Sequence, residues 1–400
     1  MRILHTADWH LGKTLEGRSR QREQEAVMDE ICQIADDQKV DAIMMAGDVY
    51  DTVNPPAVSE SLFYETAHKL SKEGSRPFIV ISGNHDSPER IQASSPLASY
   101  QGITLVGHPI DHILKIKIPS KQIYLNISAI PYPSESRLNE VLSLSNDDEH
   151  IQDAYNDRLH ILFKEHAKSF QKEAVNIMMS HLFVAGGKES DSERPIQVGG
   201  AYTVSPQAFP KEAQYVALGH LHRPQTLKHS STLTRYAGSP LAYSFSEANQ
   251  PKSVTILDVE PGEKATMNEI YLSSGKPLVK WRAKNGLDEI HRWLDEGRDS
   301  NSWIDLEVQL SEALSIHDIQ EIRKLHDGIV NIRPIYLNDI EQEERLERMR
   351  LPIHELFIRF FKQQTNGAEP SPELLQLFLD LINENHDEAM LEVAAGRDEK

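Results

Sequence analysis

The chain has 400 residues, 39% hydrophobic and 26% charged, a mixture that suits two or three folded domains rather than a disordered or fibrous protein. Its formal net charge of −19 excludes a protein that grips nucleic acid through its bulk field. One cysteine, Cys32, rules out an internal disulfide and a zinc ribbon, and no run of about 18 apolar residues exists to span a membrane.

In chain order, Arg2-Ile-Leu-His-Thr6 reads as a strand that begins at once, with no signal-peptide pattern, so a cytoplasmic protein is expected. Val27, Ile31 and Ile34 mark an amphipathic helix that also carries Cys32. Leu62, Phe63, Ala67 and Leu70 mark a second. Ala42–Ala46, Phe78–Ile81 and Ile177–Met179 are short apolar runs, each ending in a polar motif. Ile113–Ile118 and Ile123–Ile130 add strands, and Leu159, Leu162, Phe163, His166 and Phe170 add a helix face. From Tyr215–Leu218 the pattern is mostly β, through Arg235-Tyr-Ala, Ser253–Asp258 and Met267–Leu272. Buried strands joined by helices predict an α/β fold of two packed sheets with helices outside, over residues 1–275. Ligands collect at the carboxyl ends of such strands.

A small α+β domain is expected over 276–336. Val279–Arg282, Trp303–Leu310 and Ile329–Ile335 read as its strands, and Leu287–Leu294 and Ile316–Leu325 as its helices. About sixty residues need a neighbour's surface for much of their burial. Residues 337–385 read as a charged spacer, Glu341–Arg350, followed by two apolar stripes. The first is Ile353, Leu356, Phe357, Phe360 and Phe361; the second is Leu374, Leu375, Phe378, Leu381 and Ile382. Asn366-Gly-Ala-Glu-Pro370-Ser-Pro372 separates them, which predicts a helical hairpin. Residues 386–400 read as a polar, frayed tail. Residues 336–400 carry 15 acidic and 7 basic side chains, a net of −8, so any positive face lies elsewhere.

Five polar motifs follow the strands: Asp8-Trp-His10, Gly47-Asp48-Val-Tyr-Asp51, Gly83-Asn84-His85-Asp86, His181 and Gly219-His220-Leu-His222. Any one of them is common by chance; all five in order, each after an apolar strand, are not. Residues i and i+2 of an extended chain point the same way, so Asp8 and His10 are expected to reach one metal. His220 and His222 are expected to share a side, with Cβ atoms roughly 6–7 Å apart. That separation suits two ions about 3.5–4 Å apart better than one. Asp48 suits a bridge because it has two oxygens, Asn84 offers a carbonyl oxygen and His181 an imidazole. Oxygen and nitrogen ligands without thiolate favour manganese or iron over structural zinc, and a metal pair serves phosphate-ester hydrolysis. His85, beside a ligand, is placed to protonate the leaving oxygen or steady the transition state.

The five motifs resemble those of the calcineurin-like metallophosphoesterases. His5-Thr-Ala-Asp8-Trp-His10-Leu-Gly12, Ala46-Gly-Asp48-Val-Tyr-Asp51, Tyr215-Val-Ala-Leu-Gly-His220-Leu-His222-Arg-Pro-Gln225 and Tyr236-Ala-Gly-Ser-Pro240 are similar to the bacterial SbcD nuclease subunits within that superfamily. The resemblance covers about residues 1–275 strongly and the rest in layout. It implies a two-sheet metallophosphoesterase sandwich flanked by helices, an α+β capping domain that touches DNA, and a helical hairpin. It also implies two Mn2+ per chain, with Mg2+ or Fe2+ as lesser alternatives. One ion would sit on Asp8, His10, Asp48 and His222, the other on Asp48, Asn84, His181 and His220, with His85 as the catalytic histidine. The implied activity is exonuclease on double strands and endonuclease on single strands and hairpins, in end processing, repair and recombination. The implied partners are a second copy, an SbcC-type coiled-coil ATPase held through 352–385 in a heterotetramer, and DNA ends and hairpins. Archaeal and eukaryotic relatives carry a histidine near the position of Asp51, whose role stays open here, orienting a ligand being the modest reading.

Gly186-Gly187-Lys188 is not a phosphate-binding loop, because Glu189 stands where Ser or Thr is required, so no nucleotide site is expected. The polar stretch from Gly186 to Gly200 reads equally as a solvated loop or as one that approaches the metals or DNA. Two rival readings are weighed: a small-molecule phosphodiesterase or phosphatase on the same fold, and a DNA-end tether with weak catalysis. The docking hairpin speaks against the first, and the complete ligand set with His85 against the second.

Overall fold

The computed structural model describes residues 1–134, 155–193, 202–310, 314–336, 353–365 and 368–378. Two six-stranded sheets form its centre. The first runs Thr266–Tyr271, Ser253–Asp258, Arg2–Thr6, Ala42–Ala46, Phe78–Ile81 and Ile103–Val106 from edge to edge. Its last four strands are mutually parallel, and the two before them join antiparallel. The second runs Gln225–Thr226, Leu233–Tyr236, Tyr215–Gly219, Val175–His181, Ile123–Ile130 and Leu114–Ile118, with the middle four parallel and each edge strand antiparallel.

The aliphatic runs are continuous because both faces of each central strand are covered. Ile3, Met44, Ile79 and Ile81 meet Ile127, Ile177, Met179 and Ala217 between the sheets. Their neighbours Leu4, Ile43, Met45 and Val80 face outward onto the helices Gln21–Asp37 and Ala57–Ser71, through Val27, Ile31, Phe63 and Leu70. On the far side, Met178, Val216 and Leu218 pack on Leu159, Leu162 and Phe163 of the helix Tyr155–Ala167. Cys32 is partly buried on the first of these helices, and burial pushes its thiol up to about 11, so it is inert packing rather than a nucleophile.

A three-stranded sheet follows, Leu278–Ala283, Trp303–Leu310 and Ile329–Tyr336, with the helices Leu287–Asp295 and Ile316–Leu325. Trp281 sits edge-on to Trp293 at its centre. Leu15, Phe245 and Ala248 of the sandwich pack with Leu278, Trp303 and Val330 of this sheet, the borrowed surface that so small a layer needs. Compact packing groups Met1–Glu307 with Ile316–Arg333, and separately Val308–Ser315 with Pro334–Lys400.

Within the second unit, the helix Ile353–Gln364 carries the first apolar stripe, and residues 372–378 are helical. The Phe357 and Phe378 rings stack with centroids 4.0 Å apart, tying the two stripes together. Leu381, Ile382, the spacer 341–350 and the tail 386–400 lie outside the described residues. Among the described residues no helix is long and apolar enough to cross a membrane.

Candidate metal centre

The carboxyl ends of Arg2–Thr6, Ala42–Ala46 and Phe78–Ile81 in one sheet face those of Val175–His181 and Tyr215–Gly219 in the other. The five motifs begin at these ends. Close approach is enforced by missing side chains. A Cβ on Gly83 would overlap the Asp48 carboxylate and amide, and one on Gly219 would overlap the Ala46 carbonyl. Between Asp8 and His10, Trp9 turns the other way into the outer core. It is fully buried, stacked near Phe78, with its indole N–H donating to Thr6 Oγ1 at 2.9 Å.

Asp8 and His10 do not converge by strand alternation. Both have left the strand, with φ of 54° and 44°, and Asp48 and His220 have φ of 53° and 107°. Such angles are uncommon for residues with a Cβ and cost free energy that the surrounding core must supply. Backbone bonds hold the strained turns: the Asp8 N–H donates to the Gly47 carbonyl at 3.0 Å and the His10 N–H to the Asp48 carbonyl at 3.0 Å. Asp86 staples the two loops, accepting from the N–H groups of Gly83, Val49 and Tyr50 at 2.8, 3.1 and 3.0 Å.

The side chains meet in a buried cluster. Asp8, His10 and His222 bring one ligand atom each within 4.8 Å of one another, and so do Asp8, Asp48 and His181. His10 Nε2 lies 3.0 Å from His222 Nε2, and His181 Nε2 lies 2.8 Å from Asn84 Oδ1 and 3.4 Å from Asp48 Oδ2. The His220 ring lies 5.5 Å from that of His181. The His85 amide donates to Asp48 Oδ1 at 2.9 Å, and its Nδ1 lies 2.8 Å from the Asp51 carbonyl, which leaves Nε2 as the outer ring nitrogen. Asp51 takes the Lys13 ammonium at 2.7 Å and lies 3.4 Å from His10 Nδ1, outside hydrogen-bond geometry.

The electrostatics are those of a cavity built for positive charge. Burial raises the Asp8 carboxyl to about 7, against the pull of His181 and His222. Burial also opposes charge on Asp48, but His181, His10 and His85 hold it well below the usual carboxylate range. His181 is the converse: burial lowers it, yet Asp48 and Asp8 outweigh that and raise it to about 9. Burial drops His10 to about 3 and His220 well below the ordinary imidazole range. Asp8 Oδ2, His10 Nδ1, Asn84 Nδ2 and His220 Nε2 are buried without a hydrogen-bond partner. Buried polar atoms are ordinarily paired, so the orphaned carboxylate oxygen of Asp8 and the orphaned imidazole nitrogen of His220, both beside His181, fit a divalent cation.

Residues 1–224 match the calcineurin-like phosphoesterase family, and residues 274–365 match the family described as the type 5 capsule protein repressor C-terminal domain. The chain is 54% identical to the SbcD component of nuclease SbcCD from Bacillus subtilis (strain 168), over 96% of this chain and 98% of that one. The chain belongs to the SbcD nuclease subunits. It is also 34% identical to the corresponding SbcCD component of Rhodobacter capsulatus, over 71% of this chain and 72% of the relative, and 29% identical to that of Escherichia coli (strain K12), over 86% and 87%. The metallophosphoesterase fold expected from the motifs is therefore the fold of this chain, and the buried cluster belongs to a nuclease subunit that binds divalent metal.

Several residues around the cluster are not singled out by the sequence. The Tyr243 ring packs edge-on against both His10 and His222, and its hydroxyl donates to the Trp9 carbonyl. Gln24 Nε2 donates to the His10 carbonyl at 3.1 Å. Ser192 and Glu193 lie in the polar stretch after His181 for which an approach to the metals is one of two readings, and both reach His222. Glu247 is 1% exposed; burial opposes its charge, but His222 and Lys252 hold it well below the usual carboxylate range. A serine-rich stretch such as Ser244-Phe-Ser-Glu247 reads as a surface turn until the fold buries it.

Proposed function

We propose that the chain is a manganese-dependent DNA nuclease that hydrolyses phosphodiester bonds with two ions, as exonuclease on double strands and endonuclease on single strands and hairpins. The observation that carries this is the set Asp8, His10, Asp48, Asn84, His181, His220 and His222, in which Asp8, His10 and His222, and again Asp8, Asp48 and His181, bring ligand atoms within 4.8 Å of one another, with Asp8 Oδ2 and His220 Nε2 unpaired. The sorting of the pairs supports Asp8, His10, Asp48 and His222 for one ion and Asp48, Asn84, His181 and His220 for the other. A bound metal pair would supply hydroxide near neutral pH and neutralise phosphate oxygens. The chain's own residues do the rest. Asp48 is held between the two histidine groups by the His85 amide, and the Asp51 carbonyl orients His85 so that Nε2 can deliver a proton to the leaving oxygen. Asp51, anchored by Lys13, orients His85 through its carbonyl and sets a negative charge beside His10.

The partner reading follows the names of the relatives, each a subunit of SbcCD. The stacked Phe357 and Phe378, with Phe360 and Leu377 exposed beside them, support a hairpin at 352–385 that docks on an SbcC-type ATPase. The exposed Tyr64 and Leu97 at an apolar cleft of about 430 Å³ support a homodimer, and with the ATPase a heterotetramer. We place the nuclease domain at 1–275, the capping and DNA-contact domain at 276–336, and the protein in the cytoplasm at the nucleoid.

The test gives purified protein Mn2+ and blunt linear or hairpin DNA, with and without the ATPase, beside a chromogenic phosphate monoester. DNA cleavage that requires Mn2+ and falls about 10²-fold or more in His85→Ala is the expected result. Hydrolysis of the monoester alone would overturn the nuclease reading, and wild-type cleavage by His85→Ala would overturn the assignment of the acid.

A further inference from the structure

The polar groups behind His222 form a chain whose hydrogen-bond directions are determined. Lys252 is 7% exposed, and its ammonium uses all three donors, on Glu247 Oε2, on the His222 carbonyl at 2.9 Å and on Ser239 Oγ at 2.9 Å. Glu247 is thereby an ionised acceptor, and its Oε1 also takes the Tyr243 N–H at 3.1 Å. The Ser192 hydroxyl has one proton and gives it to Glu247 Oε1. That leaves no proton for Ser190 Oγ at 3.3 Å, whose own proton goes to Glu193, or for His222 Nδ1 at 2.6 Å, so the contact with His222 must be one that Ser192 accepts. His222 Nδ1 carries the proton, and Nε2 keeps its lone pair, pointing at His10 Nε2.

Glu247 alone does not reach the ring, since its Oε1 lies 3.7 Å from Nδ1; the serine fills the gap. The neighbouring Glu193 fastens the same loop, taking the His222 N–H at 2.8 Å on Oε1 and the Ser190 N–H at 2.7 Å on Oε2. Three stretches distant in sequence thus close around one imidazole: residues 190–193, the strand end at 219–222, and 245–252 with Glu247 and Lys252. A ring held by carbon packing alone could adopt either tautomer, and the one protonated on Nε2 offers no lone pair to a metal.

We propose that Ser192 and Glu247 are positioning residues that hold His222 in its Nδ1-protonated form, so that metal retention on the His222 side depends on the docking of the 190–193 loop. This rests on the two-metal reading above.

The experiment titrates full-length, metal-free protein with Mn2+ by calorimetry and records the visible spectrum of the Co2+-loaded protein. Variants are Ser192→Ala, Ser192→Thr, Glu247→Gln and the Ser192→Ala/Glu247→Gln double. Ser192→Ala is expected to weaken one of two Mn2+ sites about 10–100-fold and to shift the Co2+ bands, with the other site and the metal-free melting temperature unchanged. Ser192→Thr, which keeps the hydroxyl, restores both readouts. The double variant is no weaker than the worse single, because both act through one relay. Wild-type affinity and spectrum in Ser192→Ala overturn the proposal, as do additive losses or a Ser192→Thr as weak as Ser192→Ala. A wild-type chain that binds fewer than two Mn2+ overturns the two-metal reading itself.

Discussion

Glu23→Ala is expected to destabilise the folded protein by about 3–5 kcal/mol, the cost of stranding one member of a buried ion pair. Glu23 stands on the first helix at the joint between the sandwich and the three-stranded sheet. Its Oε1 accepts Arg20 Nε at 3.0 Å and the Trp303 indole N–H at 2.7 Å, and its Oε2 accepts Arg20 Nη2 at 2.6 Å and the Lys276 N–H at 2.8 Å. Burial works against the charge, but Arg20 and the N–H donors outweigh it and lower the carboxyl pKa. Alanine would leave the Arg20 guanidinium, 1% exposed, with only the Ala242 carbonyl and the Tyr243 ring near it, and two further donors unpaired. Tyr243 in turn packs on His10 and His222, so the loss is transmitted toward the metal centre. Urea unfolding followed by tryptophan fluorescence measures the change by linear extrapolation. Arg20→Met added to Glu23→Ala should recover about 1 kcal/mol or more, because no buried charge is then uncompensated. A Glu23→Ala protein within about 1 kcal/mol of wild type would refute the reasoning.

Gly83→Ala should cut nuclease turnover by about 10²-fold or more, since its methyl group would displace the Asp48 carboxylate; metal analysis showing two ions and full turnover would contradict this. His166 is buried against Ser128 Oγ at 2.8 Å, and burial lowers its pKa from 6.5 to about 4. Because the folded pKa is depressed, this stability is complete above pH 6.5 and lost as pH falls toward 4. The loss should reach about 2 kcal/mol by pH 5, and His166→Gln should flatten that part of the pH–stability curve. Leu97→Glu replaces a side chain that is 77% exposed. It should convert a dimer to a monomer by light scattering with the melting temperature unchanged, and a dimer that persists would exclude this face as the interface.

The aliphatic strands were legible from the amino-acid sequence because both faces of each are buried, which writes them as continuous runs such as Ala42–Ala46 and Phe78–Ile81. The polar motifs were legible because each stands where such a run ends, and a parallel sheet gathers those ends on one side. Convergence was legible for the wrong local reason. Asp8 and His10 meet through left-handed turns rather than through strand alternation, since φ depends on what the backbone bonds across the gap to Gly47 and Asp48.

Length, composition and the order of strands and motifs determined the fold class and the ligand types of the site, because hydrophobic periodicity and donor chemistry are properties of the chain itself. Only the tertiary structure decided that Ser192, Glu247 and Lys252 fix one imidazole, and that Arg20 and Glu23 clasp the joint beside Trp303. These residues look like ordinary surface polar groups until distant segments exclude water from them, and burial is a property of the packed whole.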